Sequence, residues 1–505
     1  MSKTAAHRYD QLMERVKRLS LLGSMGSLLH WDMETGMPDG GTEFRGEQLE
    51  LLSGMVHEEF TDESVDEWLS AVEGSDVVSD PLSVAAVNVR ELRREYDRAV
   101  KMPKRLVEEL AKVTAQGHAV WRVARKESDF SLFEPVLARI VELKREQADA
   151  ISSGESRYDT LLDAFEPGMT TEELNGVFAS LTEELVPLLE KIAESERTPN
   201  RELLKKAYPP EGQKVLSQIL AQAVGFDFSG GAIAESTHPF TAGIGRGDTR
   251  FTTRYYPNEL NVSVFGTLHE AGHGLYDQGL PQEHHGTPRG DSVSLGIHES
   301  QSRMWENYVG RSRSFWQYAL PIAKGIFPQN LSQVSLDEFY FAINDVQPSF
   351  IRVEADEATY NIHIMLRFGI EQEIIEGTVA VADIPEVWNR RMTELLGITP
   401  ANDADGCLQD VHWSGGSFGY FPTYTLGNLY GAQFFEKAHE DLGDLSARFA
   451  VGDFSDLLGW LRENIHRHGM TYRASDLVQK VTGKPLSHEP LVRHLTSKLG
   501  ELYGV

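Results

Sequence analysis

In the stretch "MTTEELNGVFASLTEELVPLLEKIAESE", Leu174, Val177, Leu181, Leu185, Leu188 and Ile192 recur every three or four residues. That spacing lines side chains along one face of an α-helix. Thr170 and Glu173 stand at the two ends of a capping box, where hydroxyl and carboxylate satisfy N–H groups that the first helical turn leaves open. The pattern predicts a long amphipathic helix interrupted only by Pro187. The same period runs through "LVEELAKVTAQGHAVWRVARKE" and "DLLGWLRENIHRHG", while the alternation of strands is scarce. A chain patterned in this way is expected to be mostly α.

The exception is "DTRFTTRYYPN", residues 248–258, whose β-branched and aromatic side chains predict a strand or hairpin ending at Pro257. No repeat is visible, and only the acidic, serine-containing "VEGSDVVSD" near residue 76 resembles a linker. The expectation is therefore one large helical domain over residues 1–505.

A formal net charge of -28 repels phosphates and anionic lipid, so neither nucleic acid nor a membrane is an expected partner. Nowhere do about eighteen apolar residues run together as a membrane span requires, and the first residues lack the pattern of a secretory leader. The single cysteine, Cys407, cannot close an internal disulfide and reads as a small apolar residue in a reducing compartment. The expected location is the cytoplasm.

Chemistry concentrates in "GTLHEAGHGLYD", residues 266–277. Residues four apart on a helix lie one above the other, so His269 and His273 can aim imidazole nitrogens at one zinc ion. Glu270, about 100° round the helix, can work on metal-bound water without ligating the metal. Chance supplies roughly 0.05 such patterns in a chain this long, which makes coincidence uncommon. Gly272 and Gly274 each cost the helix about 1 kcal/mol relative to alanine, a cost that implies close approach by something else.

Catalytic zinc takes three protein ligands and keeps one position open. A metzincin would place a histidine six residues after His273, and Gly279 stands there, which excludes that class. Asp277, Glu283, His284, His285, Asp291, His298 and Glu299 are the downstream candidates. In "LGIHESQSRMWENYVG", Ile297, Met304 and Tyr308 form an apolar stripe with Glu299, Arg303 and Glu306 opposite. That polar face reads equally as a solvated ion-pair surface or as the lining of a cleft.

"HEAGH" followed by "GIHESQSRMWEN" resembles the thermostable carboxypeptidase family of zincins founded on carboxypeptidase Taq. "HPF" from His238, "DTRFT" from Asp248, "IRVEAD" from Ile351 and "GCLQDVHW" from Gly406 follow that family's motifs in order, and "HWDMETGMPDGG" and "ENIHRHG" extend the likeness over nearly the whole chain. The resemblance implies a mostly helical fold with a deep central groove and a small β element beside the active site. It also implies a homodimer, and metal-dependent removal of single residues from peptide C-termini with broad specificity. One Zn2+ per chain, or Co2+ in its place, is the implied cofactor, with Glu299 the third ligand beside His269 and His273.

Under this reading Glu270 is the general base. A carboxypeptidase must also recognise a free carboxylate, for which a guanidinium offers two parallel hydrogen bonds. Arg352 is the first choice and Arg250 a weaker one, against the alternative that Arg352 is paired internally with Glu354, Asp356 or another acid. His412 and Tyr420, within a glycine-rich segment, are assigned to the oxyanion, with Tyr424 as the rival tyrosine. His238 is a candidate contact to the substrate backbone or a structural histidine. The remaining alternatives are an oligopeptidase or dipeptidyl carboxypeptidase, and a metal-stabilised binding protein without activity.

Overall fold

The computed structural model describes residues 2–505, with side chains from Thr4 onward. Helix makes up 70% of it, beside one small three-stranded sheet. The chain resolves into two compact units, each assembled from three separate segments. The first comprises Met1–Ala99, Asn200–Ile343 and Phe434–Gly483, the second Val100–Pro199, Asn344–Gln433 and Lys484–Val505. No helix is long and apolar enough to cross a membrane among the described residues.

In the first unit, helix α1 (Ser2–Thr35) runs beside α2 (Thr42–Phe60) and α3 (Glu63–Val72). Leu12 and Val16 of α1 close over Val65, Leu69 and Val72 of α3 and over Val89 and Leu92 of the next helix. The acidic stretch at residue 76 is no linker. It forms a short 3-10 turn, Asp76–Val78, whose Val77 and Val78 pack against this same core. Apolar side chains there anchor a segment that its flanking acids and serines made look solvated.

The sheet also belongs to the first unit. Strands β1 (Gly231–Glu235), β2 (Thr241–Gly245) and β3 (Asp248–Thr253) lie in the order β1-β3-β2. β3 pairs parallel with β1 and antiparallel with β2, so that Phe251 faces Ile233 on one side and Thr241 on the other. The expected strand thus ends at Thr253 rather than at Pro257. β2 is left as an edge, and the helix Leu260–Gly279 that carries the histidine motif packs against β3. Gly274 makes that packing possible, because a Cβ there would lie 2.6 Å from the ring of Phe226, which itself stacks edge-on against Phe251.

The second unit contains the predicted helix Thr171–Ala193. Thr170 accepts a hydrogen bond from the Glu173 N–H at 3.3 Å, and Leu174, Leu181, Leu185, Leu188 and Ile192 are buried. Contrary to the expected interruption, the helix continues through Pro187. Proline removes one backbone hydrogen bond, and the buried stripe on both sides holds the turn. At the centre of this unit the helix Thr359–Glu376 is buried on almost every face. His363, Arg367 and Glu371, four residues apart, form a polar stripe with no exposure at all. Desolvated charges such as Arg367 and Glu371 must find partners within the protein, and both do so within this unit.

Candidate active site

His269 and His273 rise from successive turns of the Leu260–Gly279 helix, their rings 4.9 Å apart. Glu299 comes from the helix Leu295–Arg303. Its Oε2 lies 3.7 Å from His269 Nε2 and 3.5 Å from His273 Nε2, and the three ligand atoms all lie within 4.8 Å of one another. Bonds of about 2.0–2.1 Å at tetrahedral angles place the ligands of a zinc ion about 3.3–3.5 Å apart. Two imidazoles and one carboxylate at this spacing fit a divalent metal.

The two helices reach this distance because of Gly272. A Cβ there would stand 2.7 Å from the carbonyl oxygen of Gln301 and 2.7 Å from Ser302 Cα, so the helix backbones nearly touch. The glycines inside the motif thus mark close approach, as their helix cost implied.

Each ligand is held by a further polar group. His269 Nδ1 is 2.9 Å from Glu306 Oε2, and His273 Nδ1 is 2.6 Å from His298 Nδ1, whose Nε2 is 3.0 Å from Asp277 Oδ1. A histidine that gives Nε2 to a metal carries its proton on Nδ1. With Nε2 given to a metal, His269 would donate to Glu306, and His273 would donate to His298, which in turn would donate to Asp277. Arg303 ties the acids together, bonding Glu299 Oε1 at 2.7 Å and Glu306 Oε2 at 3.0 Å. Despite burial, that guanidinium and the histidines hold the Glu299 carboxyl well below the usual carboxylate range, so Glu299 is charged, and its Oε2 faces the histidines.

The stripe of Glu299, Arg303 and Glu306 is therefore not a solvated surface. Glu299 and Glu306 are buried, and the chain passes from α-helix into a π-helical turn, Met304–Val309, between them. Glu306 and Arg303 are supporting residues that sequence reasoning left unassigned, while Asp277 and His298, candidates there for the third ligand, stand behind His273 instead. The signal for Arg303 and Glu306 was present as the charged face of "HESQSRMWEN", but periodicity alone does not say which side of a helix is dry.

Glu270 follows His269 and is itself buried. Thr241, on edge strand β2, lies with its Oγ1 2.8 Å from Glu270 Oε2. His238 is exposed in the bend before this strand, where Ser236 Oγ donates to its carbonyl oxygen. Arg250 on β3 is held by both oxygens of Asp248 at 2.7 and 2.6 Å and lies over the ring of Trp31.

A family model for carboxypeptidase Taq (M32) metallopeptidases matches residues 11–499. The chain belongs to this family. It is 47% identical to thermostable carboxypeptidase 1 of Thermus thermophilus, over 98% of this chain and 99% of that one. It is 39% identical to carboxypeptidase 1 of Bacillus subtilis, over 98% and 99%. The solved M32 carboxypeptidase of Deinococcus radiodurans R1 superimposes with a TM-score of 0.95 at 37% identity, covering 99% of this chain and 100% of that one. The protein is a metal-dependent M32 carboxypeptidase.

The remaining candidate residues of this M32 chain lie in the second unit. Arg352 is buried and paired internally with another acid, Asp410, rather than with Glu354 or Asp356. Its Nε and one terminal nitrogen bond Asp410 Oδ1 at 3.0 and 2.8 Å, and the other terminal nitrogen bonds the Tyr360 hydroxyl at 2.8 Å. Asp356 instead caps the Thr359–Glu376 helix by accepting from the N–H groups of Ala358 and Thr359. Arg367 of the polar stripe takes Asp410 Oδ2 at 2.6 Å and Gln409 Oε1 at 2.7 Å. Two guanidinium groups thus share one carboxylate, and they drive the Asp410 carboxyl far below its ordinary range despite burial.

His412 Nε2 lies 3.2 Å from the Tyr424 hydroxyl, and the Tyr420 ring stands 5.3 Å from the imidazole. Burial lowers the His412 imidazole to about 4, so it is neutral at pH 7 and has one ring N–H to donate.

Proposed function

We propose that this M32 enzyme removes single amino acids from peptide C-termini with broad specificity, using one Zn2+ per chain, or Co2+ in its place, held by His269, His273 and Glu299. The observation that carries the reading is the convergence of these three ligand atoms, with Glu270 next to His269 on the same helix and its charge acting on both imidazoles. A divalent ion bound there supplies an acidified water and polarises the scissile carbonyl. Glu270 accepts the proton of the attacking water and passes it to the departing amine.

Arg352 receives the substrate's terminal carboxylate. A guanidinium has five N–H groups; Asp410 and Tyr360 engage three of these, which leaves two for a second carboxylate. His412 and Tyr420 donate to the oxyanion of the tetrahedral intermediate, with Tyr424 orienting the imidazole. His238, exposed at the entry to edge strand β2, contacts the substrate backbone, and Arg250 supports that end of the sheet through Asp248.

The functional body is the whole chain acting as one catalytic domain. Supporting this, the family match runs from residue 11 to residue 499, and each compact unit draws on three separated segments. A homodimer fits the exposed Leu21, Met25 and Leu28, which follow one face of α1. A cytoplasmic location fits a single, buried, unpaired cysteine.

The test uses purified protein stripped of metal and then reloaded with zinc or cobalt. A free-ended peptide and its C-terminally amidated twin are incubated with each form and the products weighed by mass spectrometry. Stepwise loss of single residues from the free peptide alone, dependent on metal, is the expected result. Internal cleavage of the amidated peptide indicates an oligopeptidase instead. Metal binding with both peptides intact indicates a binding protein.

A further inference from the structure

Glu371 is fully buried on the central helix of the second unit and ends the polar stripe that contains Arg367. Its carboxylate gathers three donors. Oε1 accepts from Trp413 Nε1 at 2.8 Å, while Oε2 accepts from the Tyr158 hydroxyl at 2.7 Å and from the Gly419 backbone N–H at 3.1 Å. Trp413 directly follows His412, and Gly419 directly precedes Tyr420. One carboxylate therefore grips the segment immediately inside both residues assigned to the oxyanion.

The rest of the segment is built around this grip. His412–Gly415 forms a 3-10 turn, and its direction reverses at Gly416, which has a φ of 73°. Ser417 N–H then bonds back to the His412 carbonyl at 3.0 Å. Gly419 has a φ of 90°, and a Cβ there would meet Leu162 Cα and N at 2.8 Å. Leu162 ends the short helix Arg157–Leu162, which also supplies Tyr158. The segment is thus pressed between this short helix and the central helix, with Glu371 as the polar tie between them.

We propose that Glu371 is a positioning residue for hydrolysis: by holding Trp413 and Gly419 it fixes His412 and Tyr420 in the geometry that stabilises the transition state. The proposal rests on the reading that His412 and Tyr420 act on the oxyanion. Displacing such donors by about 1 Å costs on the order of 100-fold in rate, so a small loosening of the grip is visible in turnover. Glutamine at this position is isosteric, yet its NH2 group must face at least one of the N–H or O–H donors, and that donor loses its acceptor.

The experiment compares Glu371→Gln, Tyr158→Phe, His412→Ala and the double variant Glu371→Gln/His412→Ala, all full-length and metal-loaded. The expected result for Glu371→Gln is a fall of about 10- to 100-fold in kcat, with KM within about threefold and metal content unchanged. Tyr158→Phe removes one donor of three and is expected to lose less. In the double variant the loss should be close to that of His412→Ala alone, because the tie acts through the residue already removed. A folded Glu371→Gln with wild-type kcat overturns the proposal. So does a double variant in which the two losses multiply, since that pattern marks general structural damage. If Glu371→Gln does not fold, Tyr158→Phe and Trp413→Phe carry the same comparison, and unchanged kcat in both overturns it. If His412→Ala and Tyr420→Phe both turn over at the wild-type rate, the oxyanion reading fails first, and the role given to Glu371 falls with it.

Discussion

The Thr241 hydroxyl lies 2.8 Å from Oε2 of Glu270 and 2.9 Å from the same residue's carbonyl oxygen. One side chain on the edge strand thus spans both the carboxylate and the backbone of the residue proposed to handle a proton. Thr241→Val keeps the shape and removes the hydroxyl. A hydrogen bond to a charged group contributes about 1.5–3 kcal/mol, part of it equally in ground and transition states. The expected outcome is a fall of roughly 10-fold in kcat/KM with metal content unchanged, read from steady-state kinetics and metal analysis on the same sample.

Glu270→Gln separates binding of the metal from its use. The ligand set is untouched, so the variant should take up one metal ion per chain. Loss of a general base typically costs about 100- to 10,000-fold, and kcat should fall within that range. Metal content of wild type and little change in turnover would remove Glu270 from the mechanism.

Glu306 stands behind His269, and Asp277 behind His273 through His298, the two histidines proposed to hold the metal being His269 and His273. Groups in that position orient the imidazole and raise its basicity, and their loss usually weakens metal affinity about 10- to 100-fold. Asp277→Asn and Glu306→Gln should each show such a loss in competition with a chelator. At saturating zinc their turnover should recover most of the way to wild type.

The Glu371 carboxyl is pushed up from 4.5 to about 7 by burial, against the lowering effect of its hydrogen bonds from Tyr158, Gly419 and Trp413 and of the nearby Arg367. The folded protein therefore holds this proton more tightly than the unfolded chain does. The stability it brings is complete below pH 4.5 and is lost as pH rises through 7. At about 1.4 kcal/mol per pH unit, the difference is on the order of 3 kcal/mol. Relative to Glu371→Gln, wild type should lose thermal stability steadily between about pH 4.5 and pH 7, seen as a shrinking difference in Tm. A constant difference across that range would show that Glu371 does not titrate there.

Gly272 lets the Leu260–Gly279 and Leu295–Arg303 helices meet. Gly272→Ala would normally favour a helix, but here the added methyl must displace backbone, a strain of about 1–3 kcal/mol. A lower Tm is expected together with weaker zinc binding, because the displaced helix carries Glu299.

Much of this site was readable in the sequence. The four-residue interval between His269 and His273 has only one helical meaning, and the glycines within the motif announced the neighbour that Gly272 admits. Glu299 was harder, since its face of charged residues looks identical whether wet or dry. Burial of Glu299 and Glu306 depends on which helix covers them, and local periodicity holds no record of that. β1 and β2 escaped notice because "GAIAE" and "TAGIG" lack the alternation and branched side chains that mark strands. The stripe of His363, Arg367 and Glu371 was likewise passed over. Charged residues amid apolar ones normally suggest a solvated face, and Arg367 and Glu371 are buried because Asp410, Gln409, Trp413 and Tyr158, distant in sequence, supply their partners.

The threefold interleaving of the two units sets a schedule for synthesis. A ribosome that has delivered four hundred residues has finished neither: the first still awaits its piece ending at Gly483, and the second awaits the closing segment from Lys484 onward. The nascent chain must therefore keep two incomplete cores shielded until the last helix emerges, and trimming even that one helix leaves the second core open.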